Sequence, residues 1–363
     1  MSIQCGIVGL PNVGKSTLYN ALTSAAAAAE NYPFCTIEPN VGVVPVPDPR
    51  LDRIAAIARP GRVVPAAMEF VDIAGLVAGA SKGEGLGNRF LASIRETQAI
   101  AHVVRCFESE DVAHVSGRMS PLDDIETIET ELLLADLEQA ERARDRAAKA
   151  GKAGGKEARA REALMARAHA HLAEGRPLRS LETSAEEASV LATLSPLTAK
   201  PVLYVANVAE DGFGPNPPAE AVEARARAEG AAAVRVSAAV EAELDGLDEA
   251  ERAEYLAAIG ADEPGLARFV HAAYALLGLQ TFFTTGPKEA RAWTLRRGST
   301  AVQAAGAIHS DFERGFIRAE VVGYDDFVEL GGEQGAKAAG RWRLEGRDYV
   351  VAEGDVVRIR FAV

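Results

Sequence analysis

A β-branched and apolar run occupies residues 3–8, ends in a Gly-rich turn and gives way to residues 16–23, which have helical character. This is the pattern of strand, loop and helix. Similar apolar runs at 41–46, 67–71, 101–107, 201–205 and 233–236 are separated by helical or irregular stretches. Repeated β and α units of this kind imply an α/β fold with a doubly wound, mainly parallel sheet covered on both faces. From about 123 to 181 the pattern changes. Leu132, Leu133, Leu137 and Ala140 keep helical spacing, as do Ala163, Leu164, Ala168 and Leu172 beyond a break at 151–155, and β-branched residues almost vanish. The spacing predicts an antiparallel, coiled-coil-like helical hairpin inserted into the sheet domain. Beyond about 279 short strand-like runs at 292–295, 316–321, 342–344, 349–350 and 356–361 alternate with Gly and Asp turns. The expected organisation is a nucleotide-binding unit of residues 1–122 and 182–278, a hairpin of 123–181 and a small mixed domain of 279–363.

Composition narrows the class. At 363 residues and 48% hydrophobic content the chain can fill a sizeable core, and no stretch approaches the roughly 20 apolar residues needed to span a bilayer. The first strand-like run follows Met1 without a basic leader, so we expect a cytoplasmic protein with no membrane association. Three cysteines, Cys5, Cys35 and Cys106, have neither disulfide-framework nor zinc spacing, which suits a reducing compartment. A formal charge of -13 argues against nucleic-acid binding by the molecule as a whole, so an RNA contact needs a local basic patch.

The chemistry begins at Gly9-Leu10-Pro11-Asn12-Val13-Gly14-Lys15-Ser16, followed by Thr17. Two glycines four residues apart, then Lys and Ser, make a phosphate-binding loop. The backbone wraps so that its N–H groups face phosphate, Lys15 supplies a charge to the β and γ oxygens, and the Ser16 hydroxyl can ligate Mg2+. Asn12, Val13, Gly14, Lys15, Ser16 and Thr17 are therefore candidate nucleotide contacts, and Asn12 is also a candidate ligand for a monovalent cation. Asp72-Ile73-Ala74-Gly75 follows the run at 67–71. A carboxylate at a strand end can hold Mg2+ through water, and Gly75 can offer its N–H to a γ-phosphate. Thr36, in the loop between these segments, is the candidate second hydroxyl on the metal. Leu76 stands where many GTPases place the glutamine that orients the attacking water, a task an apolar side chain cannot perform. His114, after the run at 101–107, is the candidate replacement.

Asn207-Val208-Ala209-Glu210 follows the run at 201–205. GTPases read guanine here with Asn-Lys-x-Asp, and this chain has Val208 for the lysine and Glu210 for the aspartate. Asn207 can still meet the N7 and N6 edge of a purine, so Asn207, Val208 and Glu210 form a base site expected to favour ATP over GTP. Ser237-Ala238-Ala239 closes over the base.

These segments, with the Gly-rich stretch 79–90 and His309-Ser310-Asp311-Phe312-Glu313-Arg314-Gly315-Phe316, resemble the Obg-related YchF family of P-loop ATPases along nearly the whole chain. The resemblance implies a nucleotide domain with an inserted hairpin, a C-terminal TGS domain of β-grasp fold, ATP preferred over GTP, and association with ribosomes, as the large subunit or the whole particle. It also favours His114 as the catalytic group beside Lys15. The Ala- and Arg-rich hairpin departs from the family pattern. Its tip, residues 142–161, carries eight basic side chains against Asp145 and Glu157, an electrostatic match for RNA phosphates. We expect an ATP-hydrolysing switch on the ribosome. An ATP-sensing module with little hydrolysis, which Leu76 would suit, and a conventional GTPase are the alternatives.

Overall fold

The computed structural model describes residues 3–28, 40–73, 86–109, 118–152, 154–244, 246–261 and 263–362. Twelve strands form two sheets. In chain order they are β1 (Gln4–Val8), β2 (Val41–Pro45), β3 (Val63–Val64), β4 (Ala67–Asp72), β5 (Ala99–Arg105), β6 (Val202–Asn207), β7 (Ala232–Val236), β8 (Leu279–Thr285), β9 (Ala290–Arg296), β10 (Phe316–Val322), β11 (Arg343–Glu345) and β12 (Val356–Phe361). The first sheet has the order β2-β4-β1-β5-β6-β7, and every pairing is parallel except β2 with β4. All positions of β5 and β6 are buried. That is why these strands read as mainly apolar runs with no alternation: helices cover both faces of a central parallel strand.

Five helices matter for the argument: α1 (Lys15–Ala28), α2 (Pro49–Ala58), α3 (Leu86–Glu96), α4 (Pro121–Gly151) and α5 (Lys156–Ala173). The last two are the hairpin foreseen from the sequence. Their seam is built from Ala140, Ala143, Ala147, Leu164, Met165, Ala168 and Leu172, and its many alanines permit close approach of the helix axes. The hairpin root is pinned by polar contacts. Asp136 accepts from the N–H groups of Leu197 (3.0 Å) and Thr198 (2.7 Å) and from the Thr198 hydroxyl (2.7 Å). Glu129 takes Arg179 and Arg225, each at 2.7 Å, and the Tyr204 hydroxyl of β6 reaches Glu229 at 2.9 Å.

The second sheet, β11-β10-β12-β8-β9-β3, is mixed. A hairpin β8–β9 and a returning strand β12 parallel to β8 share a core with helix Ala301–Ile308, the arrangement of a β-grasp. Several details differ from the sequence reading. β8 and β3 were not foreseen, four short helices lie between 301 and 338, and residues 349–350 contribute only an isolated bridge from Val350 to Thr300. The largest difference is β3, which comes from the N-terminal part of the chain yet pairs in parallel with β9. A two-residue strand carries no periodicity to recognise. Arg50 at the start of α2 reinforces this junction by pairing with Asp48 (2.7 Å) and with Glu353 (2.5 Å). Among the described residues no helix is long and apolar enough to cross a membrane. Cys5 and Cys106 are buried, and burial pushes both thiols up to about 12, so neither is reactive near neutral pH.

Buried His102 of β5 packs its ring 5.7 Å from that of Tyr204. Burial, helped by the nearby Arg179 charge, lowers its pKa from 6.5 to about 4. Below pH 6.5 the unfolded chain takes up a proton that the buried ring refuses. The stability contribution is therefore complete above pH 6.5 and is lost as pH falls toward 4, by about 3 kcal/mol. Asp136 and Glu241, whose carboxyls burial raises, act in the opposite sense as pH falls. Comparison with His102→Phe isolates the imidazole: urea unfolding at pH 7 and pH 4.5 should show a smaller acid loss in the variant, and equal losses would assign the acid sensitivity elsewhere.

Candidate functional site

β1 lies between β4, reached first along the chain, and β5, reached after a crossover to its other side. Its carboxyl end is thus the switch point of the sheet, where open α/β folds bind ligands. The loop from Gly9 to Ser16 occupies that point and leads into α1. Its glycines have steric reasons. A Cβ on Gly9 would lie 2.7 Å from the Val103 carbonyl oxygen, and one on Gly14 would lie 2.1 Å from the Asn207 Nδ2. Gly14 also has φ 88°, and Asn12 has φ 63°, so the loop turns twice through the left-handed region. No acidic side chain occupies the first turn of α1, which leaves the positive end of the helix to an incoming anion.

Lys15 is only 8% exposed, and its Nζ lies 3.3 Å from Asp72 Oδ1 at the end of β4. Burial and the Asp72 carboxylate together raise the neighbouring Tyr19 phenol above its ordinary value. Ser16 and Thr17 are exposed on the first turn of α1. A hydroxyl and a carboxylate as hard oxygen donors fit Mg2+, which takes its remaining ligands from phosphate and water. Among the described residues no cluster of three or more His, Cys, Asp or Glu could hold a metal alone.

The base segment departs from expectation in two respects. Asn207 is 4% exposed, its Nδ2 donates to the Val13 carbonyl at 2.8 Å, and its Oδ1 accepts from the Ala238 N–H at 3.0 Å. The amide is a strut between the phosphate loop and the Ser237-Ala238 turn, with one of its two donors and one of its two acceptor sites already committed. Val208 is 2% exposed within the main core and its N–H donates to the Val236 carbonyl. Glu210, by contrast, is exposed at the rim, where its Oε1 accepts from Tyr255 Oη at 2.8 Å. Tyr255 was not foreseen: it lies on helix Glu249–Ala258, with no motif to mark it. Thr36, Gly75, Leu76 and His114 lie outside the described residues.

A phosphate loop at the switch point, backed by the Lys15–Asp72 pair, makes the protein a P-loop nucleoside triphosphatase by class. Comparison with known proteins agrees. A family model described as "50S ribosome-binding GTPase" matches residues 4–136, and YchF-GTPase_C, described as a "Protein of unknown function (DUF933)", matches 279–362. Among curated relatives, the "Ribosome-binding ATPase YchF" of Haemophilus influenzae is 58% identical over 363 residues, covering 100% of both chains. The Bacillus subtilis protein of the same name is 49% identical, again with 100% of both chains covered. The solved structure of the Schizosaccharomyces pombe YchF GTPase is 35% identical with a TM-score of 0.90, covering 99% of this chain and 98% of that one. A GTP binding protein from Pyrococcus horikoshii shares the fold at 21% identity and a TM-score of 0.61. The chain belongs to the YchF family.

The crowding around Gly14 yields a direct test. In Gly14→Ala the new Cβ and the left-handed backbone must displace the Asn207 amide, so nucleotide affinity should fall by at least about tenfold. Titration with a fluorescent ATP analogue, beside a far-UV spectrum showing a preserved fold, measures this. Unchanged affinity would mean that Asn207 can leave its strut position without harm.

Proposed function

We propose that the protein is a cytoplasmic, Mg2+-dependent ATP hydrolase that acts as a switch on the ribosome. The observation that carries the choice of nucleotide is Glu210 at the base rim, where a guanine-reading site needs a shorter aspartate. Relatives are named both as ribosome-binding ATPases and, for the fission-yeast structure, as a GTPase, so the base preference is the part of this reading that most needs measurement. On the bound nucleotide, Lys15 turns from Asp72 to the β and γ oxygens, while the loop N–H groups and the α1 N-terminus hold the phosphates. Ser16 would hold Mg2+ directly, Asp72 through water and Thr36 through a second hydroxyl, and the ion would supply charge neutralisation at the phosphoryl group. Gly75 donates its N–H to the γ-phosphate, and His114 orients the attacking water that Leu76 cannot. Asn12 would be the ligand for a monovalent cation near the phosphates.

The ribosome contact is assigned to the hairpin tip, with the C-terminal TGS-like domain as a second surface. Part of the tip's charge is spent internally: Arg142 pairs with Glu138, and Arg144 with Asp145 (3.0 Å) and Glu141 (3.5 Å). Arg146, Lys149, Lys152, Lys156, Arg159 and Arg161 are exposed and make no ion pair among the described residues. These six are the charges available to meet RNA phosphate.

Single-turnover hydrolysis of ATP and of GTP, with and without ribosomes, tests the reading. ATP should be hydrolysed in preference and ribosomes should speed it. Equal use of both nucleotides would return the protein to conventional GTPases, and absence of any stimulated turnover would make it a nucleotide sensor. In the same assay the combined substitution of Arg146, Lys149, Lys152 and Lys156 by Ala should weaken ribosome binding, flatten its salt dependence and leave ATP affinity intact. Unaltered ribosome binding would move the contact to the C-terminal domain.

A further inference from the structure

Two carboxylates converge on one phenol at the base rim. Glu210 opens the short turn Glu210–Phe213 after β6, and Glu243 lies on helix Ala238–Leu244, whose first N–H is the one held by Asn207. Tyr255 Oη is 2.8 Å from Glu210 Oε1 and 3.1 Å from Glu243 Oε2. A phenol has a single proton and can serve only one of them at a time. Among the described residues neither carboxylate has a basic partner. The hydrogen bonds to Glu210 and Glu243, together with slight burial, hold the phenol's proton well beyond its ordinary range, so Tyr255 remains a donor at any physiological pH. The cluster is therefore rich in acceptors and short of one donor.

The support for Tyr255 is built in advance. Helix Glu249–Ala258 starts with a full capping box at Asp248 and Glu251, and Leu256 packs with Val240 and Leu244 in a small core of its own. Arg252 Nη2 donates to the Leu244 carbonyl at 3.1 Å, closing the two helices on each other. This local core fixes the direction from which Tyr255 reaches Glu210. Adenine presents an amino donor at its 6-position where guanine presents an oxygen acceptor. A rim with more acceptors than donors complements the first and opposes the second.

We infer that Tyr255 is a positioning residue for base choice: it fixes the Glu210 carboxylate at the rim, and with Glu243 it leaves an acceptor for the 6-amino group of adenine. This rests on the assignment of Glu210 to the base, so the experiment separates the two claims. Dissociation constants for ATP, GTP and inorganic tripolyphosphate are measured by calorimetry on the full chain and on Glu210→Gln, Tyr255→Phe, Glu243→Gln and the Tyr255→Phe, Glu243→Gln double variant. Tyr255→Phe keeps the ring and removes only the hydroxyl. It should reduce the ATP-over-GTP affinity ratio by about threefold to tenfold and leave tripolyphosphate binding unchanged. Glu243→Gln should also lower the ratio, with the double variant losing less than the product of the single losses because both act through one hydrogen-bonded cluster. If Glu210→Gln shifts the ratio and Tyr255→Phe does not, the positioning role is wrong while the base assignment stands. If Glu210→Gln leaves the ratio untouched, the base assignment fails and the inference with it. Equal loss of all three ligands in Tyr255→Phe would show a merely structural role and overturn the inference.

Discussion

One buried amide organises the nucleotide site. Asn207 stands at the end of β6, yet it holds the Val13 carbonyl 194 residues earlier in the chain and the Ala238 N–H 31 residues later. Remove it and a buried acceptor and a buried donor are both left without a partner, each costing about 1–3 kcal/mol. The same amide explains why position 14 accepts no Cβ. The phosphate loop and the Ser237-Ala238 turn are therefore joined through a single side chain, which braces the loop in its shape.

The strand that carries this brace also carries the hairpin. Tyr204 and Asn207 are three residues apart on β6, so they project to opposite faces of the sheet. One face meets the phosphate loop, and the other meets the charged root of the hairpin through Glu129, Glu229, Arg179 and Arg225. These side chains are partly buried, and each has an opposite charge or a phenol beside it. β6 therefore touches the phosphate loop on one face and the root of the basic arm on the other.

The legibility of the sequence followed physical lines. The Gly9 to Ser16 loop, Asp72 and the buried strands were readable because tight turns, strand-end carboxylates and doubly covered strands each restrict residue type locally. The hairpin was readable from its helical spacing. The contacts of Asn207 with the Val13 carbonyl and the Ala238 N–H were not legible, because those partners lie 194 and 31 residues away in the chain. Val208 reads as a base-site residue by position, but its burial in the core depends on packing across β6 and β7. Tyr255 left no signal at all: it is 45 residues from Glu210, on an ordinary amphipathic helix. The strand Val63–Val64 was hidden by its length, and its partner β9 lies in another part of the chain.

The central claim is that the phosphate loop and the base rim form one mechanical unit through Asn207. Amide hydrogen exchange on the nucleotide-free full chain, native against Asn207→Ala, tests it most directly. The account predicts faster exchange in the variant both across residues 10–18 and across 237–244, with the hairpin helices unchanged. Faster exchange confined to β6 itself, with the phosphate loop as protected as in the native protein, would contradict it.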